Sequence, residues 1–202
     1  MESLTFYFAS MDSGKSMEAI RRIHSFENQN KRCLALTSQL DNRYGIGVIA
    51  SRAGISKTAL CISTDTNIYE LVLDDIRSNP EKLYKVFIDE CQFLTKDQVI
   101  QLAQVVDELN IPISCYGLKN TFMNTLFEGS AALLVYADEI KEIEGNTCTV
   151  DNCDRHATMV VRLIDGVPTY DGDVIQIGGN KDYASVCRKH YSNYPVKEEI
   201  CI

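Results

Sequence analysis

The sequence has no excess of basic residues. Its 202 residues include 20 Lys and Arg against 28 Asp and Glu, which gives a formal net charge of −8. Binding to nucleic acid or to an anionic membrane requires cations that neutralise phosphate groups. We therefore expect no nucleic-acid partner and no membrane partner, although a few local cations could still hold a small anionic substrate.

Long apolar runs, internal repeats and low-complexity tracts are also missing. No apolar stretch approaches the length that crosses a bilayer, and no basic segment followed by an apolar one resembles a signal peptide. We therefore expect a cytoplasmic protein, in which the eight cysteines stay mostly reduced. Cysteines that cluster in that setting indicate a metal site rather than disulfides.

Strand-like and helix-like segments alternate through residues 1–143. Short apolar runs predict strands at 4–8, 32–37, 59–63, 85–89 and 111–116. Helical patterns run to about residue 28, over 66–78 and from an N-cap at Thr95 to about Leu109, and the glycine-punctuated segment 41–56 reads as a loop. This alternation predicts an α/β fold with a parallel sheet that is covered on both faces by helices.

The composition changes after Ile143. Helical periodicity disappears, and Cys148, Cys153, Cys187 and His190 occur with several glycines between them. Four N/S ligands in two pairs are typical of a closed, tetrahedral structural zinc site. We therefore predict a second, small β-rich zinc-binding domain at 144–202, with the candidate ligands Cys148, Cys153, Cys187 and His190.

A phosphate-loop pattern follows the first predicted strand. The pattern is a glycine, four residues and then Gly-Lys-Ser/Thr, and residues 9–16 match it except that Ala9 replaces the first glycine. In such a loop, Lys15 reaches the β- and γ-phosphates and the Ser16 hydroxyl binds Mg²⁺. Asp89 ends a later strand and is the expected second magnesium-binding residue. The residues thus predict an ATP-binding domain at 1–143 that holds Mg²⁺ with ATP.

The residues alone leave other functions open. A Gly-Lys-Ser tripeptide and an acid at the end of a strand both occur by chance. The substitution at Ala9 favours a P-loop regulatory protein that binds nucleotide without transferring phosphate. A P-loop NTPase that acts on nucleic acid is disfavoured by the acidic net charge.

Eight short segments then occur in a specific order and spacing. They are residues 9–16, 41–44, 51–54, 88–93, 116–122, 126–130, 177–179 and 185–190. Together they resemble the type II thymidine kinases, and the resemblance extends from about Leu4 to Tyr191. It implies transfer of the γ-phosphate of ATP to the 5′-hydroxyl of thymidine, in the supply of DNA precursors.

The resemblance also implies residue roles at the phosphates. Glu90 is the expected general base. The alternative is that Glu90 is a second metal-binding carboxylate beside Asp89. Arg43 is the expected cation near the transferred phosphate, with Asp41 close to it. The full set expected to bind ATP and phosphate is Ala9, Ser10, Met11, Asp12, Ser13, Gly14, Lys15, Ser16, Asp89, Glu90, Cys91, Gln92 and Arg43.

Thymidine is expected to lie between apolar side chains. By the resemblance these are Met11, Phe93, Leu118 and Phe122, which without it would be assigned to the core. Segment 163–179 matches a lasso loop that reads the base mainly through its backbone. Its expected contacts, with a tyrosine that follows it, are Val174, Gln176, Gly178 and Tyr183.

The first zinc ligand pair departs from the family pattern. The family has Cys-x-x-Cys, and here Val150 stands where the first cysteine belongs. Either Cys148 ligates through an enlarged turn, or His156 completes the set with Cys153. We predict Cys148, because ligand pairs tolerate spacers of two to four residues. The resemblance further implies a homotetramer and feedback inhibition by thymidine triphosphate.

Overall fold

The computed structural model describes residues 2–173 and 182–194. The strands are β1 Leu4–Phe8, β2 Arg32–Ser38, β3 Val48–Ala50, β4 Ser56–Thr58, β5 Leu60–Ile62, β6 Leu83–Asp89, β7 Ile113–Gly117, β8 Glu139–Glu142, β9 Met159–Ile164, β10 Val167–Thr169 and β11 Tyr183–Val186. The helices are α1 Lys15–Glu27, α2 Ile68–Ser78, α3 Lys96–Leu109, α4 Glu128–Tyr136 and α5 Arg188–Ser192. Among the described residues, no helix has the length and apolar character needed to cross a membrane.

Six strands form one parallel sheet in the order β5-β2-β6-β7-β1-β8. Parallel strands end at the same edge, where open α/β sheets bind their ligands. The turn after β1 and the acidic end of β6 therefore lie at one edge, separated by the end of β7. The predicted α/β class, with a parallel sheet and flanking helices, is confirmed.

Helices cover both faces of this sheet. Leu36 and Ile88 pack in a core cluster that includes residues of α2, α3 and α4. The neighbouring strand residues Ala35 and Phe87 belong to a second cluster, which includes the buried side of α1. Successive side chains of a strand point to opposite faces, and strands buried on both faces are apolar throughout.

The strands β3, β4 and β8 and the helix α4 lie outside the strands and helices predicted for residues 1–143. The segment 41–56, predicted as a loop, contains β3, and with β4 it forms a two-stranded antiparallel hairpin. The prediction of a loop throughout is therefore wrong, because strands of three residues such as Ser56–Thr58 carry too little periodicity to be recognised. Helix α4 is apolar over most of its length and β8 is exposed throughout, so neither has an amphipathic pattern.

A smaller antiparallel sheet with the order β10-β9-β11 follows the large one. Its core cluster is Cys148, Val161, Ala184, Val186 and Cys187. This sheet lies within 144–202 and agrees with the β-rich character expected there. It is hydrogen-bonded to the large unit, and the division into two domains at residue 143 stays a prediction.

The start of α3 has the predicted cap. The Thr95 hydroxyl accepts a hydrogen bond from the Gln98 amide at 3.2 Å, and the Gln98 side chain accepts one from the Thr95 amide at 3.1 Å. The Gln98 side-chain amide also donates to the carbonyls of Ser63 and Thr66, at 2.8 and 2.9 Å. This capping box therefore fixes the start of α3 and the chain that enters α2.

We expect Thr95→Ala to lower the free energy of unfolding by about 1 kcal/mol, because the Gln98 amide at the helix start loses its side-chain partner. Thr64→Ala is the matched control, since Thr64 is exposed in a turn, and it should change that free energy by less than about 0.5 kcal/mol. Urea denaturation followed by circular dichroism measures both. Equal effects of the two substitutions would contradict the role of the cap.

Candidate functional site and metal centre

The phosphate-loop segment connects β1 to α1. Two residues of this turn, Asp12 and Gly14, have left-handed φ values of 64° and 73°, which bend the chain sharply into the helix. Ala9 is buried and does not share this left-handed conformation, so the position does not need the glycine of the usual pattern.

Lys15 is the first residue of α1, and its Nζ donates to the Ser10 carbonyl at 2.7 Å. Burial lowers the pKa of Lys15, while the nearby carboxylates of Glu90 and Asp89 oppose that shift. The amides of the first helical turn have no acceptor within the helix, and they carry the positive end of its dipole. The start of α1 therefore combines a buried amine with a backbone suited to bind anions.

Asp89 is the last residue of β6 and is buried. Burial raises its pKa, and the charge of Glu90 adds to the shift, while a hydrogen bond from Ser16 and the charge of Lys15 oppose it. A buried carboxylate beside a hydroxyl supplies the hard oxygen ligands that Mg²⁺ prefers. The donor set of Ser16 and Asp89 thus fits the predicted magnesium site.

Glu90 follows directly and adopts a left-handed conformation, with φ 53° and ψ 38°. Its Oε1 accepts from Arg43 Nη2 at 2.7 Å, and its Oε2 accepts from the side-chain amide of Gln92. Arg43 also binds Asp41 through two nitrogens, at 2.7 and 2.9 Å. The Glu90 carboxylate is therefore held from both sides, and a cation lies next to it.

Gln92 connects this carboxylate to the end of β7. Its Oε1 accepts from the Leu118 amide at 3.0 Å, and its side chain is buried. A Cβ at Gly117 would lie 2.5 Å from that same oxygen and 2.6 Å from Cys91 Sγ. The close approach of the β7 backbone therefore requires glycine at position 117.

Lys15, Ser16, Arg43, Glu90 and Gln92 line one cavity of about 280 Å³. Of the residues predicted to bind ATP or phosphate, its lining includes Met11, Asp12, Ser13, Gly14, Lys15, Ser16, Arg43, Glu90 and Gln92. Ala9, Ser10 and Asp89 lie behind this surface, and the side chain of Cys91 lies in the core. Lys15 and Glu90 thus share the cavity, as the predicted chemistry requires.

The other end of the cavity is apolar. Met11, Phe93, Leu118, Phe122 and Tyr183 all line it, as predicted for the nucleoside. Phe93 packs edge-on against the ring of Phe127, and the Phe122 ring lies 6.4 Å from that of Tyr183. The predicted contacts Val174, Gln176 and Gly178, and the segment 177–179, lie outside the described residues.

Several lining residues were not assigned a role from the sequence. They are Met17, Asp41, Tyr44, Ala50, Ser51, Arg52, Ala53, Asn120, Thr121, Phe127 and Val160. Arg52 forms an ion pair with Asp12 at 2.6 Å and so joins the β3–β4 region to the phosphate loop. Asp41, Tyr44, Ser51 and Arg52 belong to the segments 41–44 and 51–54, which match the family pattern. That match was the sequence evidence from which a role for these residues at the site could have been predicted.

Three cysteines and a histidine form a compact group near the small sheet. The ligand atoms of Cys148, Cys153, Cys187 and His190 all lie within 4.8 Å of one another. Cys153 Sγ lies 3.9 Å from Cys187 Sγ, and His190 Nδ1 lies 3.3 Å from Cys148 Sγ and 3.6 Å from Cys187 Sγ. Metal–sulfur bonds of about 2.3 Å place two tetrahedral sulfurs about 3.8 Å apart, so this group could hold a tetrahedral ion.

His156 lies outside this group. Its Nε2 is 2.9 Å from a carboxylate oxygen of Glu142 on β8. The Cys148 amide donates to the Arg155 carbonyl at 2.8 Å, and Asn152 turns the chain with a φ of 57°. The enlarged turn therefore brings Cys148 Sγ, and not the His156 ring, towards the second ligand pair.

Fold and site together define an α/β protein of the P-loop class with a metal-binding appendage. The family described as thymidine kinase matches residues 2–191. The chain therefore belongs to the thymidine kinase family, as its resemblance predicted.

Curated relatives match along nearly their whole length. A thymidine kinase of Lactococcus lactis subsp. lactis is 48% identical over 191 residues, which cover 95% of this chain and 97% of the relative. A thymidine kinase of Streptococcus pyogenes serotype M3 is 48% identical over 193 residues, covering 96% and 98%. A thymidine kinase of Enterococcus faecalis is 46% identical over 191 residues, covering 95% of each.

The metal centre gives a prediction about which side chains ligate. Cys148→Ser should lose most of the bound metal, because a neutral hydroxyl replaces a thiolate ligand. His156→Gln is the matched control and should keep one metal per chain, since its ring faces Glu142. Elemental analysis of both purified variants measures the metal content. Full metal in Cys148→Ser, or its loss in His156→Gln, would contradict the assignment.

Proposed function

We propose that this chain is a thymidine kinase, which converts ATP and thymidine into ADP and thymidine 5′-monophosphate for DNA synthesis. The observation that carries the proposal is that Lys15 and Glu90 line the same cavity. A cation for phosphate and a carboxylate for a hydroxyl are the two groups that such a transfer needs in one place. Membership of the thymidine kinase family identifies the acceptor.

At the phosphate end, Lys15 and the amides at the start of α1 hold the β- and γ-phosphates. Ser16 and Asp89 would hold Mg²⁺, which, when bound, neutralises charge on the phosphate oxygens. Arg43 lies against Glu90, and its guanidinium therefore stands next to the point of transfer. Positioning and charge stabilisation of this kind supply most of the rate enhancement in phosphoryl transfer.

At the centre of the cavity, Glu90 accepts the proton of the thymidine 5′-hydroxyl. The two Glu90 oxygens are directed by Arg43 and by Gln92, so the carboxylate does not have to be ordered when the nucleoside binds. A base that is held in place orients the hydroxyl oxygen for in-line attack on the γ-phosphorus.

At the apolar end, the pyrimidine ring lies among Met11, Phe93, Leu118 and Phe122. Flat and apolar walls suit the faces of the base and leave room for its 5-methyl group. The lasso segment 163–179 and Tyr183 are proposed to complete the pocket, with Val174, Gln176 and Gly178 contacting the base.

The cysteine–histidine group is proposed to hold a structural zinc ion. Its four protein ligands leave no open position for a substrate or a reactive water. ATP as phosphate donor and reduced cysteine ligands both suit the cytoplasm, which we propose as the location. A homotetramer and feedback inhibition by thymidine triphosphate are further proposals that rest on the family resemblance alone.

A regulatory protein that binds nucleotide without transfer is the alternative that Ala9 favours. The alanine at position 9 is weak evidence for this alternative, because Ala9 does not have the left-handed φ that favours glycine. The left-handed residues of the turn are Asp12 and Gly14, and Gly14 matches the second glycine of the phosphate-loop pattern.

Glu90→Gln should lower the rate of thymidine phosphorylation by at least about 100-fold, because the amide cannot accept the proton. The affinity for Mg-ATP should stay within about twofold, since the Lys15 region is unchanged. Purified protein, Mg-ATP and labelled thymidine measure transfer, and calorimetry measures nucleotide binding.

Glu108→Gln is the matched control, because Glu108 does not line the cavity. Its carboxylate, on α3, accepts a hydrogen bond from the Tyr69 hydroxyl on α2. It should transfer phosphate at the wild-type rate. Undiminished transfer by Glu90→Gln would overturn the role of the base. No transfer by the wild-type chain at millimolar thymidine would support the regulatory alternative.

A further inference from the structure

The small sheet and α5 reach the apolar end of the cavity through two hydrogen bonds. Ser185 Oγ donates to the Met11 carbonyl at 3.0 Å, and the Tyr191 hydroxyl donates to the Phe122 carbonyl at 2.8 Å. Met11 and Phe122 both line the cavity. Each bond therefore holds the backbone of one apolar wall residue.

Both donors lie next to ligands of the metal centre. Ser185 is two residues before Cys187, and Tyr191 directly follows His190. The amides of His190 and Tyr191 both donate to the Cys187 carbonyl at 3.0 Å, which fixes the first turn of α5. This turn, which presents the second ligand pair, sets the position of Tyr191. Ser185 is held in β11 opposite Val160 of β9, and its carbonyl accepts from the amide of Thr149, the residue after Cys148, at 3.0 Å.

The two acceptors need external support because neither lies in a helix or strand. Met11 lies in the turn after β1, and Phe122 lies in the segment between β7 and α4. The Phe122 ring is almost fully buried, and the Arg162 guanidinium on β9 lies 5.4 Å from its centre. This wall therefore depends on the small sheet for its ring contacts as well as for its carbonyl partner.

Tyr191 is itself held in place. The Tyr170 hydroxyl donates to the Tyr191 carbonyl at 2.7 Å, and the two rings pack edge-on at 5.3 Å. The Tyr191 hydroxyl therefore reaches Phe122 from a fixed ring. A fixed donor sets the position of the carbonyl that it binds.

We propose that Ser185 and Tyr191 are positioning residues that couple the cysteine–histidine metal centre to the nucleoside end of the cavity. They hold the backbones of Met11 and Phe122 at the separation that accepts a planar base. The proposal rests on the proposed function, because it takes thymidine as the ligand. Ser185 binds the phosphate loop at Met11, whereas Tyr191 binds the segment between β7 and α4 at Phe122. Loss of the Ser185 hydroxyl should therefore affect the binding of ATP and thymidine, and loss of the Tyr191 hydroxyl the binding of thymidine.

The kinetic test compares Tyr191→Phe with Ser185→Ala in the full chain. Tyr191→Phe keeps the ring and removes one hydroxyl, so KM for thymidine should rise about fivefold, with kcat and KM for ATP changed less than about twofold. Ser185→Ala releases a residue of the phosphate loop and should raise KM for both thymidine and ATP. General destabilisation would not produce this split between the substrates.

Tyr69→Phe is the matched control, because it removes a tyrosine hydroxyl that binds Glu108 far from the cavity. All its kinetic constants should equal those of the wild type. Calorimetric measurement of thymidine binding distinguishes a failure of the proposed function from a failure of the positioning role. A wild type that does not bind thymidine would defeat the proposed function. A wild type that binds thymidine no more tightly than Tyr191→Phe would overturn the positioning role alone.

The coupling to metal has a readout that needs no substrate. Removal of the metal from the wild-type chain by a chelator should speed amide hydrogen exchange in the peptides that contain Met11 and Phe122, with α2 unchanged. The same treatment of the Ser185→Ala/Tyr191→Phe double variant should add little further exchange in those peptides. Unchanged exchange in both wild-type peptides after metal loss would overturn the coupling, whatever the chain phosphorylates.

Discussion

The site depends on the way the Glu90 carboxylate is held at the carboxyl edge of the sheet. A left-handed conformation at a residue other than glycine costs about 1 kcal/mol or more and persists only where surrounding contacts determine it. Here Arg43 binds one oxygen of Glu90, and Gln92 binds the other while also accepting from the Leu118 amide. This turn allows Asp89 to face the start of α1 while Glu90 faces the cavity.

The large sheet makes that arrangement possible because its strands are parallel. The ends of β1, β6 and β7 come together at one edge, although the corresponding residues are far apart in the chain. Lys15 follows the first of these strands and Glu90 the second. Gly117 ends the third and leaves the space that Gln92 occupies. The positions of Lys15, Glu90 and Gln92 thus follow from one topological feature.

The small sheet contributes structure to the same cavity. It has only a few buried apolar residues, and a unit of this size normally needs a metal or disulfides to fold stably. Val160 on β9 lines the cavity, and Tyr183 on β11 packs near the Phe122 ring. The metal-binding appendage therefore forms part of the wall of this cavity, and is not only an addition at the end of the fold.

Much of the large sheet could be predicted because most of its strands are apolar and the helices α1, α2 and α3 are amphipathic. The Thr95 cap was recognisable from local sequence, whereas β3, β4 and β8 are short or exposed and carry no such pattern. Within the candidate site, Lys15 and Ser16 follow from the loop pattern, while the role proposed for Glu90 rests on the family resemblance. The contacts of Ser185 and Tyr191 end on backbone carbonyls, which leave no trace in the identity of the residues that they bind.

The most direct test of the central claim is a crystal structure of the chain with thymidine, Mg²⁺ and a non-hydrolysable ATP analogue. We expect the thymidine 5′-oxygen to lie within hydrogen-bonding distance of the Glu90 carboxylate, about 2.6–3.2 Å. We also expect the terminal phosphate to contact Lys15 Nζ. A nucleoside bound with its 5′-oxygen away from Glu90, or a triphosphate bound outside the turn before Lys15, would contradict that claim.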